Sequence, residues 1–201
     1  TFPVNGKYTD FQKDIYNIVL NTNLEAIKNS KPGIPYRDIH FAAAKNIVEG
    51  LKSIGLMKGD SDEIIQQGAH AMFFPHGLGH MLGLDVHDME ALGESLVGYN
   101  QDVQRSQQFG LKYLRLARPL EAGFVMTVEP GIYFIPQLVN TWEKERKFVD
   151  FINYDEVKKH LDFGGVRIED NIVITETGSR LLGKPIPKTI EEVETVCANR
   201  K

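Results

Sequence analysis

The sequence predicts an α+β fold, with helices that cover one face of a largely antiparallel sheet. Helical periodicity is confined to the part of the chain before Ala71, and from there on glycine and proline become frequent and short β-type runs replace it. A charged amphipathic stretch, 136–162, interrupts those runs. Helices and strands that are segregated in this way favour a layered α+β class over a doubly wound parallel sheet.

Three helices are expected in the first part of the chain. Thr9 and Gln12 form a capping-box pattern ahead of an apolar repeat, which predicts a helix over 10–30. A second apolar stripe predicts a helix over 36–54 that stops near Gly55, and a shorter one is expected over 61–68. These helices supply the layer that covers the sheet.

The strands are expected later in the chain, as short runs at 123–129, 132–135, 165–169 and 171–175. The stretch 136–162 is expected to be a helical excursion near the rim of the sheet. Thr189 and Glu192 form a second capping-box pattern, which predicts a last short helix. The first seven residues are expected to be strand-like and to end in a turn at Asn5 and Gly6.

Composition excludes several classes of protein. With 201 residues, 42% of them hydrophobic, the chain can bury the core of one domain or two. Its 23 basic residues are scattered among 27 acidic ones, so neither nucleic acid nor a membrane surface is an expected partner. There is no apolar run of roughly 20 residues and no signal-peptide pattern. Cys197 is the single cysteine, and the protein is expected to be soluble and cytoplasmic.

Three of the six histidines, His76, His80 and His87, lie within twelve residues of a glycine-rich apolar stretch. An imidazole without a partner is costly to bury there, so a shared task is one reading. The other reading is that one or two of them only satisfy hydrogen bonds of the core. Gly77 and Gly79 disfavour a helix, so the spacing of His76 and His80 is not that of a helical zinc pair.

A carboxylate stands at the end of the first expected strand. Glu129 precedes Pro130, which favours an extended backbone, and Gly131 then permits a sharp reversal. Strand alternation places Thr127 and Glu129 on one face. Glu129 therefore either replaces an inward apolar residue or points to solvent.

Arg167 and Glu169 share a face of another expected strand, where Arg167 could keep Glu169 ionised. An ordinary cross-strand ion pair is the alternative. One histidine with two carboxylates matches the ligand preferences of manganese, cobalt, iron or zinc, and one cysteine is too few for a thiolate site. No Gly-x-Ser-x-Gly element points to a serine nucleophile.

Long runs of the chain resemble the pita-bread metallopeptidases, the superfamily of creatinase, aminopeptidase P and methionine aminopeptidase, and most closely its prolidase branch. The resemblance rests on the runs FPVNGK at 2–7, FPHGLGH at 74–80, LDVHD at 84–88, TVEPGIYF at 127–134 and GGVRIED at 164–170. It implies a curved sheet and a site in which two divalent ions are held by two aspartates, one histidine and two glutamates. Manganese would be the preferred ion, with cobalt or zinc as alternatives.

Carried over by motif, the resemblance implies that His80, Glu129 and Glu169 bind metal, with Arg167 supporting them. Glu129 would also be the catalytic base. His76 would steady the scissile carbonyl or shuttle a proton.

His87 is implied to share that catalytic work and to face the substrate. Arg118 resembles a clamp for the substrate's terminal carboxylate, a task that suits a guanidinium fork, and Arg115 is the alternative. The substrate implied is a dipeptide with proline second, Xaa-Pro, and the partner of the intact enzyme is a second copy of itself.

The paired aspartates of the family are missing, because they would lie just before Thr1. Asp10, Asp14, Asp85 and Asp88 stand in other contexts and do not replace them by motif. The resemblance therefore implies that 1–201 is a C-terminal catalytic domain, incomplete at its start, that binds metal weakly, and an inactive fragment is one of the outcomes it leaves open.

Two other functions fit the same residues. An aminopeptidase P would remove the residue before a penultimate proline from longer peptides. The stretch 136–162 favours the dipeptidase, since it could wall off the cleft. A non-catalytic pita-bread module that binds other proteins is the second alternative, although such modules typically lose the ligands that are present here.

Overall fold

The fold was analysed in a computed structural model, which describes residues 1–199. Its α-helices are α1 (Asp10–Asn29), α2 (Tyr36–Ser53), α3 (Ser61–Gln67), α4 (Glu94–Val97), α5 (Pro136–Lys144), α6 (Tyr154–Val157) and α7 (Ile190–Ala198). Short 3-10 turns occupy Ala69–Met72, Glu90–Leu92, Leu111–Tyr113 and Lys158–His160. The strands are β1 (Val125–Val128), β2 (Gly131–Tyr133), β3 (Gly165–Arg167), β4 (Asp170–Ile174) and β5 (Ser179–Leu181). The three helices α1 to α3 precede all the strands, as the sequence predicts.

Helix α1 begins where its capping box predicts. The Thr9 hydroxyl accepts from the Gln12 amide, and the Gln12 side chain accepts from the Thr9 amide. The apolar face of α1, including the fully buried Ile15 and Val19, packs on α2 and on the strands. Asn23 reaches from this helix to the carbonyl of Val128, which ties α1 to the end of β1.

Helices α2 and α3 also follow local signals. Pro35 precedes α2 in an extended conformation, Asp60 caps α3 by accepting two backbone amides, and Gly68 ends α3 with a left-handed φ of 86°. Such a φ favours glycine, because a Cβ is disfavoured there. The predicted bounds of both helices are confirmed to within a residue.

The strands form two antiparallel sheets, one with the order β1-β4-β5 and one of β2 and β3. Val128 pairs with Asp170 at the end of the first sheet, and Gly131 pairs with Arg167 at the start of the second. Both pairs follow one register, so the two sheets are one ladder interrupted at 129–130 and 168–169. This break lies in the middle of the candidate site.

The loop 78–82 lies along the free edge of β1. Thr127 donates to the His80 carbonyl at 3.0 Å, and Glu129 donates to the Leu78 carbonyl at 2.8 Å. Met81 and Met126 form an antiparallel β-bridge next to the bond between Thr127 and His80. The histidine loop thereby becomes a neighbour of the strand that carries Glu129.

The stretch 136–162 is helical, as predicted, through α5 and α6. It packs on the loop after α2, where Met57 bridges to Ile152, and its Trp142 ring meets Phe109 edge to face. The prediction that this stretch could wall off the cleft is wrong, because none of residues 136–162, all of which the structure describes, lines it.

The predictions for the two ends of the chain and for the last strand are confirmed only in part. Residues 1–7 contain the predicted turn but form no strand, although Thr1 exchanges hydrogen bonds with the backbone of Arg167. Strand β5 was not predicted. The last helix, α7, has the capping box of Thr189 and Glu192. Within residues 1–199, the helices are too short or too polar to cross a membrane.

Candidate functional site

An open cleft of about 350 Å³ lies where the histidine loop meets the end of β1. Its walls are polar and carry both signs of charge. The residues that line it are Pro75, His76, Gly77, Gly79, His80, His87, Tyr113, Arg115, Glu129 and Arg167. The three histidines of the predicted site, His76, His80 and His87, therefore lie in one cleft with Glu129 and Arg167.

His80 and Glu129 form a buried pair at the base of this cleft. The Nε2 atom of His80 lies 3.4 Å from Oε1 of Glu129, and the two residues are 5% and 9% exposed. The Nδ1 atom of His80 lies 2.9 Å from the Met81 carbonyl, which can only accept, so Nδ1 carries the proton. The Nε2 lone pair is thereby directed toward Glu129.

The carboxylate of Glu129 is held at both oxygens. Its Oε1 accepts from the Thr127 hydroxyl at 3.1 Å, and its Oε2 accepts from Nη1 of Arg167 at 2.9 Å. Of the two orientations that the sequence leaves open for Glu129, the structure shows the inward one. The ion pair of Arg167 is with Glu129, while the predicted action of Arg167 on Glu169 is present as a charge effect that lowers the pKa of that carboxyl.

Glu169 lies opposite Glu129. The register on both sides of the break places these two residues across from each other on adjacent strands, where side chains of a pair are near neighbours. Burial raises the pKa of Glu169, and the Glu129 carboxylate raises it further, while Arg167 and His80 act in the other direction. His80, Glu129 and Glu169 therefore stand on three adjacent segments.

The donor atoms of the site are of the types that bind a divalent ion, but they supply only part of the number of ligands that such an ion needs. His80 has the tautomer that a ligand needs, with Nδ1 bonded to a carbonyl and Nε2 free to coordinate. Nitrogen and carboxylate oxygen together suit manganese, cobalt or zinc. Among residues 1–199, however, no group of three or more such side chains is already arranged around one point. The arrangement is a pair, with Glu169 close by.

His76 forms a second polar cluster with Tyr133 and Arg167. Nδ1 of His76 lies 2.8 Å from the Gly77 carbonyl, so Nε2 accepts, and its neighbours are the Tyr133 hydroxyl at 3.2 Å and Nη2 of Arg167 at 3.4 Å. Burial lowers the pKa of His76 to about 4. His76 is thus a neutral acceptor near pH 7, and in this state it has no proton to offer an oxyanion from Nε2.

His87 lies on the open side of the pair, with its ring edge to face on His80 at 4.3 Å between centroids. Its Nδ1 is 3.7 Å from Glu90, and the same carboxylate is bound by Arg115. His87 is consequently the imidazole that faces a molecule entering the cleft.

Arg118 is not brought into the cleft. It bonds to Glu121 at 2.7 Å, and its guanidinium lies over the Phe124 ring. Arg115, which the sequence offers as the alternative, lines the cleft instead. The carboxylate-clamp role of Arg118 stays a prediction, and Arg115 is the arginine that this geometry places nearer the ligand pair.

Tyr133 and Thr127 have contacts in the site that the sequence gave no reason to assign. The Tyr133 hydroxyl accepts from Nε of Arg167 at 2.6 Å. Its ring needs two glycines, since a Cβ at Gly131 or Gly165 would lie within 2.6 Å of it. Those glycines, one in each strand of the β2–β3 pair, are the sequence signal that could have identified Tyr133.

The helices over an antiparallel sheet, with the histidine loop on the edge of β1, define the pita-bread fold of a peptidase. Zn-substituted aminopeptidase P from Escherichia coli in complex with product matches it over 100% of this chain, with a TM-score of 0.74 and 40% identity. The model of metallopeptidase family M24 matches residues 1–176. The chain belongs to that family.

Its relatives carry two kinds of name. A rat (Rattus norvegicus) Xaa-Pro dipeptidase is 43% identical over 98% of this chain, and a probable Xaa-Pro aminopeptidase of Sordaria macrospora is 42% identical over 98%. The chain spans only 39% and 40% of those two proteins, and 37% of the E. coli structure.

Proposed function

We propose that the longer protein to which this chain corresponds is a metal-dependent exopeptidase that cleaves Xaa-Pro dipeptides, and that 1–201 is its C-terminal catalytic domain. The observation that carries the proposal is the buried pair of His80 and Glu129 at the base of an open cleft, with Glu169 opposite. A carboxylate and an imidazole whose lone pair faces it are an unusual and costly pair to bury without a ligand. Family membership supplies the class of ligand.

His80, Glu129 and Glu169 would hold divalent ions, with further ligands from outside this chain. When bound, such an ion polarises a carbonyl oxygen and makes hydroxide accessible near neutral pH. Manganese is our proposal for the native ion, because carboxylate-rich sites suit it, and cobalt and zinc are the alternatives.

Glu129 is the base in this proposal. The Glu129 carboxylate takes a proton from the attacking water and returns it to the proline nitrogen, which carries no hydrogen in the substrate and must gain one to leave. Arg167 orients this carboxylate through Oε2 at 2.9 Å. His87 donates to the carbonyl oxygen as charge develops there, and His76 fixes Arg167 from the other side.

Recognition of the substrate's free carboxylate falls to an arginine. Arg118 is the residue that the family motif supports, and Arg115 is the one that the cleft contains. A bidentate guanidinium suits a planar carboxylate. Replacement of each arginine by lysine distinguishes the two candidates. Replacement of the arginine that binds the substrate carboxylate should raise KM for Xaa-Pro far more than KM for a peptide amide.

An aminopeptidase P activity on longer peptides is the second candidate. Relatives of that name are as similar to this chain as those named dipeptidases. The stretch 136–162 no longer argues against it, because that stretch leaves the cleft open. A non-catalytic, protein-binding role is disfavoured by the retained ligand pair.

The test measures hydrolysis and bound metal in two forms, this chain and a form extended upstream to the length of its relatives. Substrates are Xaa-Pro and Xaa-Pro-Yaa, with Mn²⁺ added. We expect the extended form to prefer Xaa-Pro. A preference for the tripeptide would establish the aminopeptidase, and bound partners without turnover of either peptide would establish the module.

The role of Glu129 has its own variant. Glu129→Gln in the extended form should lower kcat by about 10²- to 10⁴-fold, the usual contribution of a positioned acid or base. Glu176→Gln, at an exposed position in the turn before β5, is the matched control and should leave kcat unchanged. Turnover retained in Glu129→Gln would refute the assignment of the base.

A homodimer of the longer protein and a cytoplasmic location complete the proposal. The family resemblance supports the first, and a single cysteine, Cys197, is compatible with a reducing compartment. Light scattering on the extended form and fractionation of cells test these two points.

A further inference from the structure

One buried hydroxyl connects the two residues of the proposed ligand pair. Thr127, which is 2% exposed, lies between His80 and Glu129. Its Oγ1 accepts from the backbone amide of His80 at 3.0 Å and donates to Oε1 of Glu129 at 3.1 Å. The same oxygen of Glu129 is the one that lies nearest to Nε2 of His80.

The hydroxyl replaces a regular bond between the loop and the strand. The backbone amide of Thr127 donates to the His80 carbonyl at 3.0 Å. In a regular antiparallel pair, the His80 amide would in turn donate to the Thr127 carbonyl. That carbonyl is instead occupied by the Tyr36 hydroxyl, which donates to it at 2.9 Å. Tyr36 is fully buried, so this donor has no competing solvent. The amide of His80 therefore turns to the side chain.

This exchange fixes the direction of the threonine proton. A hydroxyl has one proton and two lone pairs, and the His80 amide occupies one lone pair of Thr127. The proton is consequently committed to Oε1 of Glu129. Rotation of the carboxylate away from His80 would break this bond and leave a buried donor unpaired, which is unfavourable.

We propose that Thr127 and Tyr36 are a positioning pair that sets the distance and direction between Nε2 of His80 and Oε1 of Glu129 for binding a divalent cation. The cation is the part of this inference that rests on the proposed function. The geometric part concerns only the chain's own side chains. Thr127 touches neither substrate nor ion and acts through Glu129 and His80.

The first test measures Mn²⁺ binding by calorimetry to the form extended upstream to the length of its relatives. Thr127→Val keeps the shape of the side chain and removes the hydroxyl, and we expect about 10- to 100-fold weaker binding, the usual effect of a residue that orients ligands. Thr127→Ser restores the hydroxyl and should restore most of the affinity. Tyr36→Phe frees the Thr127 carbonyl for the His80 amide and should give an intermediate loss.

Thr22→Val is the matched control. Thr22 is also fully buried, and its hydroxyl donates to the Ile18 carbonyl within α1 at 2.8 Å, without contact to the site. It likewise removes a buried hydroxyl, and it should leave Mn²⁺ affinity at the parent value. Equal losses of affinity in the two valine variants would reduce Thr127 to a structural residue.

The second test is independent of any ion or activity. Crystal structures of the parent, Thr127→Val and Thr127→Ser give the Nε2–Oε1 separation directly, and only the valine variant should depart from 3.4 Å. An unchanged separation in Thr127→Val would overturn the inference. If the parent binds no Mn²⁺ but the separation changes as expected, the proposed function fails and the positioning role stands.

Discussion

Replacement of Gly79 by alanine should separate the histidine loop from β1. A Cβ at this position would lie 2.0 Å from the Thr127 carbonyl oxygen and 2.8 Å from the Tyr36 hydroxyl, well inside the 3.4 Å at which ordinary contact begins. The obstacle at Thr127 is backbone in a buried strand, which cannot rotate aside. The loop must therefore move away from the strand.

The size of the effect follows from the bonds that this movement breaks. Two of the backbone hydrogen bonds between the loop and the strand flank Gly79, one from the Thr127 amide to the His80 carbonyl and one from the Glu129 amide to the Leu78 carbonyl. Each contributes about 0.5–1.5 kcal/mol net, and overpacking of a tight contact costs a further 1–3 kcal/mol or so. Alanine restricts the unfolded chain and returns somewhat less than about 1 kcal/mol. The expected net loss is roughly 2–5 kcal/mol.

Thermal unfolding, followed by circular dichroism, measures this loss. For a chain of this length, it corresponds to a Tm lowered by roughly 5–20 °C. Gly178→Ala is the matched control, because nothing lies within 4 Å of a Cβ built there. If Gly79→Ala unfolded at the same temperature as Gly178→Ala, the close approach of loop and strand would not exist in solution.

Two further predictions concern stability. His40 is buried, its ring nitrogens lack hydrogen-bond partners within residues 1–199, and burial lowers its pKa from 6.5 to about 3. The folded state thus favours the neutral ring, so the contribution of His40 to the free energy of unfolding is full above pH 6.5 and falls as the pH decreases. Urea titrations should show a loss of about 2 kcal/mol between pH 7 and 5. His40→Phe should remove this part of the pH dependence, and an unchanged pH dependence in that variant would contradict the prediction. Thr189→Ala removes the cap of α7 and should cost about 1 kcal/mol in the same titrations, whereas Thr189→Ser should cost little; equal losses in both would show that the hydroxyl is not the cap.

Helix ends were predictable because their signals are local. A capping box is complete within four residues, and both of those identified in the sequence, at Thr9 and at Thr189, are present in the structure. Gly68 likewise marks the end of α3 by its own backbone preference. No distant partner decides these features, so the printed sequence contains the information.

Partners across the sheet were less predictable, because they depend on register. The sequence placed Arg167 with Glu169, two positions along one strand, but β3 ends at Arg167. Gly131 stands opposite Arg167 and has no side chain, and the Tyr133 side chain fills the space over it. The Arg167 guanidinium reaches across to Glu129 on the neighbouring segment. Strand β5 escaped prediction because its sequence, Ser179–Leu181, contains a single apolar residue and so shows no apolar repeat.

The cleft itself combines both situations. Motif resemblance led to His76, His80, His87 and Glu129, which the structure places together. It selected Arg118 with Arg115 as the alternative, whereas Arg115 is the one of these two that lines the cleft. Arg115 is held there by Glu90, from a distant segment of the chain.

The opposed glutamates have a consequence for folding. Two like charges directly across a sheet repel each other, and they weaken the ladder that aligns them. The interruption of pairing at 129–130 and 168–169 coincides with this repulsion. Arg167, bonded to Glu129 from the adjoining strand, acts as an internal counterion that lets the strands come together at all. Arg167 therefore stabilises the assembled sheet whether or not an ion or a peptide is bound.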